Sequence, residues 1–285
     1  MSILIGVFCG LIAMLGWGIG EFLMKEPSKR IGEIEIFFYM QFIGAIITIP
    51  IFINYIKNNT IILNFLDIFL IIIIGAVDVV AFLSFLKGIN TGELSIVSPI
   101  SSVYSIITVI LSVIFLNEIL KINQIIAILL ALSGVVLTST DLKNIHKIHS
   151  VKGVNNAIIS MILWGIYLFL TGILVTRIQW IPTFIMTTVG TVSFATIAFI
   201  FKKNKKKPRK KDYKTFFIIS TLSTIAWLAM NYAFSKKLVS VASVVSSLSP
   251  LITILLASYF LKEKLYKNQK IGISLILTGL ILISL

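Results

Sequence analysis

Long apolar runs alternate with short polar stretches along the whole chain. A helix needs about 20 apolar residues to cross a hydrocarbon layer. Runs of roughly that length occupy 3–24, 35–55, 66–88, 93–117, 122–139, 154–175, 180–201, 213–235, 239–261 and 267–285. A polar segment, 140–153, splits them five and five and carries Asp141, Lys143, His146, Lys147, His149 and Lys152. A backbone in lipid has to satisfy its own hydrogen bonds, so helices must dominate. The pattern predicts an all-α membrane protein with ten transmembrane helices, in two units (1–139 and 154–285) joined by the linker 140–153. The first run begins at Ile3 with no basic residue before it and exceeds the apolar length of a cleavable signal, so it is expected to be the first span.

Composition agrees with a bilayer as the solvent. The chain is 58% hydrophobic and 13% charged, with a mean hydropathy of +1.03; a soluble domain carries roughly 25% charged residues. The single cysteine, Cys9, excludes an internal disulfide and argues against a cysteine-ligated metal site. The net charge of +14 invites a nucleic-acid reading, because nine basic residues crowd into Lys202–Lys214. Between two spans, however, such a cluster fixes which side the loop occupies and meets anionic lipid headgroups. Membrane lipid is therefore the expected partner of this loop, and nucleic acid is not.

The loops after spans 1, 3, 5, 7 and 9 hold 20 of the 25 Lys and Arg residues, and those after the even spans hold 5. The basic set should face the cytoplasm of a cell membrane, which places both termini outside it. Five spans per unit is an odd number, so a second unit of the same design must enter from the opposite side.

Such a duplication is visible. Residues 115–139 align with 260–284 without a gap at an offset of 145, with identities that include Phe115/Phe260, Glu118/Glu263, Asn123/Asn268, Gln124/Gln269 and Gly134/Gly279. Spans 1 and 6 share Trp-Gly-Ile, at Trp17-Gly18-Ile19 and Trp164-Gly165-Ile166, each followed by Phe-Leu. Spans 4 and 9 are serine-rich, contain a proline, and end in Phe-Leu-Asn-Glu and Phe-Leu-Lys-Glu. Two copies of opposite orientation form the inverted repeat on which many secondary transporters are built.

This combination resembles the drug/metabolite transporter superfamily and, within it, the ten-span EamA-type transporters. The resemblance covers essentially the whole chain and is strongest over spans 4–5 and 9–10. It implies a carrier of small metabolites, often an exporter of amino acids or related compounds, that works by alternating access. It also implies a central cavity lined by spans 1, 3, 4, 6, 8 and 9, with spans 5 and 10 peripheral. Many relatives are drawn with cytoplasmic termini; the charge distribution here favours the reverse.

Ionisable residues within a bilayer are costly and face a partner or a watery cavity. Two acids lie well inside spans: Asp78 near the middle of span 3, and Glu21 about a turn from the end of span 1. A midplane carboxylate can take up a proton and couple transport to it, or bind a cationic substrate. The plainer reading pairs Asp78 with a hydroxyl or Lys87, and sets Glu21 beside Lys25. Span 4 offers Ser98, Ser101, Ser105 and Ser112 on one helical face, with Tyr104 nearby, and span 9 offers Ser243, Ser246, Ser247, Ser249 and Thr253. These suit a polar path, yet small hydroxyl residues are also the ordinary packing surface between membrane helices. Trp17, Phe82, Trp164 and Trp227 can stack on a flat substrate, with Asn231 bonding its polar end. Tryptophan more often anchors at the interface, but these three lie within spans. Glu118 and Glu263 are expected to act as cap or interface residues, and Gly16 and Gly20 to let helices approach.

Other function classes lack their chemistry. No Asp-x-x-Asp pair is present to hold a metal and pyrophosphate, and the histidines an intramembrane serine protease would need lie only in the linker, at His146 and His149. No G-x-x-x-x-G-K-[ST] motif occurs, and no cofactor is indicated. The leading expectation is a secondary carrier, not an enzyme; an uncoupled, channel-like permease or an uptake carrier of the same fold is the alternative.

Overall fold

A computed structural model describes residues 2–92, 94–139, 152–260 and 267–284. The regular elements among them are twelve α-helices: α1 (Ser2–Ile31), α2 (Glu33–Ile56), α3 (Phe65–Thr91), α4 (Leu94–Ser102), α5 (Tyr104–Phe115), α6 (Ile122–Ser139), α7 (Val154–Ile178), α8 (Trp180–Phe201), α9 (Lys210–Ser235), α10 (Val239–Ser246), α11 (Ser249–Phe260) and α12 (Lys267–Ser284). Eight stretches of them are long and apolar enough to cross a membrane, and two shorter apolar ones, Ile122–Val135 and Lys270–Gly279, lie in α6 and α12. Most of the linker 140–153, together with Glu263 and Lys264, lies outside the described residues.

Several helices outrun their apolar runs. α1 continues to Ile31 and carries Lys25, Lys29 and Arg30 on its last turns, with Pro27 inside; α9 begins at Lys210. The apolar run measures the hydrocarbon layer, whereas the helix continues while its residues remain helix-compatible.

The runs 93–117 and 239–261 are each broken, into α4/α5 and α10/α11. The breaks fall at Val103 and around Leu248, positions related by the offset of 145. Each is bridged by shorter bonds, from Val103 N–H to the Ile100 carbonyl (3.3 Å) and from Leu248 N–H to the Val245 carbonyl (3.3 Å). Pro250 explains the second break, because its ring excludes the carbonyl of Ser246, the last residue of α10. Pro99 precedes the first break and lies inside α4, so the break recurs where the proline does not.

Packing follows the duplication. α1 packs on α9 and α7 on α3; α1 meets α10 and α11 as α7 meets α4 and α5; α2 pairs with α8, and α6 with α12. Exchanging the two halves reproduces this contact set. The Trp-Gly-Ile glycines show why the motif recurs. A Cβ on Gly18 would lie 2.6 Å from Ile252 Cβ, and one on Gly165 would lie 2.6 Å from Ile107 Cβ. Only a missing side chain lets α1 and α7 close onto the broken helices.

Ion pairs tie the helix ends in the same pattern. Arg30 at the end of α1 binds Asp212 at the start of α9 (2.5 Å), and Arg177 at the end of α7 binds Asp67 at the start of α3 (2.5 Å). Both aspartates also accept the backbone N–H that opens their own helix, from Asn64 and Arg209. Glu35, fully buried, binds Lys202 and accepts the Lys206 N–H. The outer surface is apolar, with Phe42, Ile46, Ile72, Val80, Leu129, Ile200 and Phe217 exposed on five different helices, as expected where lipid replaces water.

Candidate functional site

The helices enclose a cavity of about 120 Å³ at mid-length. Its walls come from α1, α2, α3, α4, α5, α7, α8, α9 and α11. Among the described residues, the peripheral pair α6/α12 contributes none of the lining, as the resemblance implies. α2 (Met40, Gln41, Gly44, Thr48) and α8 (Phe184, Thr188) do contribute, which corrects the expected set of lining spans.

Glu21 stands where α1 meets both broken helices. Ser98 of α4 donates to its Oε2 at 2.5 Å, Ser249 of α11 to Oε1 at 3.1 Å, and Thr253 to Oε2 at 3.3 Å. Its described partners are hydroxyls; the expected neighbour Lys25 makes no ion pair with it. Asp78, buried at the centre of α3, accepts a bond from Thr191 of α8 at 3.1 Å and faces the indole of Trp164. Lys87 is exposed and takes no part. Among the described lining residues, none is Lys, Arg or His.

Aromatic rings form the remaining walls. Trp17 and Trp227 lie 4.8 Å apart, and Tyr167 closes on Trp227 at 5.1 Å. Across the cavity Trp164 contacts Phe82 (5.9 Å), Phe85 (5.2 Å) and Tyr104 (6.2 Å). The structure thus gathers Trp17, Glu21, Asp78, Phe82, Ser98, Tyr104, Trp164 and Trp227 around one space.

Four other candidates do not line it. Ser101 shares a hydrogen bond with Ser160 (2.8 Å), and Ser105 donates to Ser247 (3.0 Å). Ser246 meets the Tyr104 hydroxyl (3.1 Å), and Asn231 donates to the Trp227 carbonyl (2.8 Å). The serine hydroxyls are used between or within helices, where small hydroxyls serve packing, whereas Oδ1 of Asn231 is buried with no hydrogen-bond partner among the described residues. Asn231 still bears on the cavity by bracing the turn that holds Trp227.

Sequence reasoning missed Tyr167, Phe85, Phe184 and Ser223. The duplication held a signal for some of them. At the offset of 147 set by the two Trp-Gly-Ile motifs, Glu21 corresponds to Leu168; at 145, Asp78 corresponds to Ser223 and Phe82 to Trp227. All of these line the cavity. The aromatic positions repeat, and the two acids do not.

Glu118 sits at the end of the same run as α5 but caps a different helix. Its carboxylate accepts the N–H groups of Val239 (2.6 Å) and Ser240 (2.9 Å), which open α10. An anion at that position satisfies free donors and opposes the helix dipole. Among the described residues, no cluster of three or more His, Cys, Asp or Glu side chains forms.

Known proteins can now be set beside this geometry. An uncharacterized protein of Methanocaldococcus jannaschii is 44% identical over 72 residues, 25% of this chain; the match spans about half, 53%, of that relative's length. A solved crystal structure superposes over 100% of this chain and 98% of its own at a TM-score of 0.75 with 14% identity, a likeness of fold alone. The sequence profile of the EamA-like transporter family matches residues 4–140 and again 151–285, nearly the whole length in two repeats. The chain therefore belongs to the EamA-like transporter family and is an integral membrane protein of the transporter type.

Proposed function

We propose that the chain is a secondary carrier that moves a small metabolite, an amino acid or a related compound, out of the cell across the plasma membrane by alternating access. The observation that carries this reading is a mid-length cavity with two acids, enclosed by two halves whose packing partners exchange. In this reading ten spans form two antiparallel five-helix repeats, 1–139 and 154–285, around the linker 140–153. A packing that maps onto itself when the halves exchange has two related states of similar energy, one open to each side. The basic loops face the cytoplasm, and Lys202–Lys214 lies against anionic headgroups.

Asp78 is the coupling group and Glu21 the group that senses occupancy. Asp78 binds a proton or yields it to the cargo, while Glu21 joins α1 to the two broken helices that must move apart. The binding surface comprises Trp17, Phe82, Ser98, Tyr104, Trp164 and Trp227, with Ser101, Ser105, Asn231 and Ser246 holding the helices that present it.

The test is uptake and efflux in proteoliposomes against a panel of amino acids, amines and nucleobases, with and without a pH gradient. Gradient-driven transport is expected for the native protein and lost in Asp78→Asn, with equilibrative exchange retained. Unchanged gradient-driven transport in Asp78→Asn removes the coupling role. Transport indifferent to the gradient in the native protein favours the uncoupled facilitator.

A further inference from the structure

Five of the described acids fall into two groups. At helix ends, buried Glu35, Asp67 and Asp212 each have a Lys or Arg partner. In the cavity, Glu21 and Asp78 have hydroxyl donors and no basic partner among the described residues. A carboxylate held away from water without a counter-charge is costly, and proteins pair such groups. The chain does so at three sites and leaves the cavity as the exception.

The walls around these acids favour positive charge. Trp17, Trp227, Phe82 and Trp164 line the space, and a cation near an aromatic face is attracted by the ring quadrupole, more strongly when desolvated. No Lys, Arg or His among the described lining residues is available to neutralise an anionic group. A zwitterionic amino acid would bring its carboxylate into a space that already holds two and offers it only neutral hydroxyl, indole and amide donors. An anion would fare worse still.

We propose that the cargo is an organic cation: an amine or quaternary ammonium compound with a flat apolar body and no carboxylate of its own. Its positive charge sits between Glu21 and Asp78, and its body lies against the tryptophan walls. This rests on the carrier reading above and narrows its "related compound" to amines. The missing basic partner is then the cargo itself. The halves differ because an acid from α1 and one from α3 face Leu168 and Ser223 at the corresponding places of the other half, so the charge is recognised from one half and the body by aromatics from both.

Three compounds sharing one ring separate the possibilities: phenethylamine (cation), phenylalanine (zwitterion) and 3-phenylpropionate (anion). Binding is measured by calorimetry to the full chain in lipid nanodiscs, with benzyltrimethylammonium as a permanent cation that cannot donate a hydrogen bond. Phenethylamine is expected to bind at least tenfold more tightly than either carboxylate, and benzyltrimethylammonium to compete with it. Glu21→Gln and Asp78→Asn should each weaken phenethylamine at least tenfold. Trp164→Leu should weaken it more than Trp164→Phe.

Equal or tighter binding of phenylalanine or 3-phenylpropionate overturns the proposal, as does failure of both cations to bind. The ranking is read on the unaltered protein, so it stands even where a variant does not fold. Counterflow in proteoliposomes separates the two levels. Movement of other solutes with no amine binding sinks the cation and leaves the carrier, whereas movement of no solute sinks the carrier reading as well.

Discussion

Single residues in this protein act through what surrounds them. Glu118 and Glu21 are both acids next to broken helices, yet their surroundings give them opposite jobs. Glu118 meets two backbone N–H groups at the start of α10, and both of its oxygens are used. Replacing it by Gln removes the negative charge and leaves one of the two donors facing an amide group. That should lower stability by about 1–2 kcal/mol. Thermal unfolding of Glu118→Gln in nanodiscs measures the loss, and phenethylamine binding should survive at temperatures where the fold is intact. An unfolding midpoint identical to the native one would show that α10 needs no cap from the other half. Glu21 and Asp78 were legible in the sequence because a lone acid in an apolar run stands out. Their partners were not, because Ser98, Ser249 and Thr191 come from helices far along the chain.

At the scale of the helix, close approach decides which glycines matter. Gly→Ala ordinarily stabilises a helix by roughly 1 kcal/mol. At Gly165 the added Cβ would meet Ile107 Cβ at 2.6 Å and the Tyr104 carbonyl at 2.9 Å. Such overpacking costs about 1–3 kcal/mol and outweighs the gain. Gly44, in contrast, has only Thr224 Oγ1 within reach, at 3.9 Å. Gly165→Ala should therefore lower the unfolding midpoint, and Gly44→Ala should leave it unchanged or raise it, although Gly44 lines the cavity. A loss of equal size at both positions would mean that the α7–α5 crossing is looser than described. Apolar runs located the membrane helices well, because hydrophobicity is what the bilayer selects. They did not reveal the breaks at Val103 and Leu248, since Pro99 and Pro250 sit at different heights while the breaks sit at equivalent ones. Those positions are set by helix crossings, which residue composition along one run does not encode. Nor did they reveal α2 and α8 in the cavity wall, whose lining residues Gly44, Thr48 and Thr188 read as ordinary span residues.

Across the whole molecule, the two Arg–Asp pairs mark equivalent places in the two halves. Arg30–Asp212 joins the end of α1 to the start of α9, and Arg177–Asp67 joins the end of α7 to the start of α3. If the halves are antiparallel, these pairs lie at opposite membrane surfaces, and so do the segments that precede α3 and α9. One of those segments, 57–64, contains one basic residue; the other, 202–209, contains six. In the proposed orientation the second lies in the cytoplasm and the first outside. Asn59 and Lys207 are exposed residues of these two segments, so one labelling experiment tests both statements. The only native thiol, Cys9, is buried and can be removed by Cys9→Ala. In that background, a membrane-impermeant maleimide added to intact cells should label Asn59→Cys, and should label Lys207→Cys only after permeabilisation. The reverse pattern would invert the molecule while keeping the halves antiparallel. Labelling of both from the same side would make the halves parallel, and the paired inward- and outward-open states would lose their structural basis.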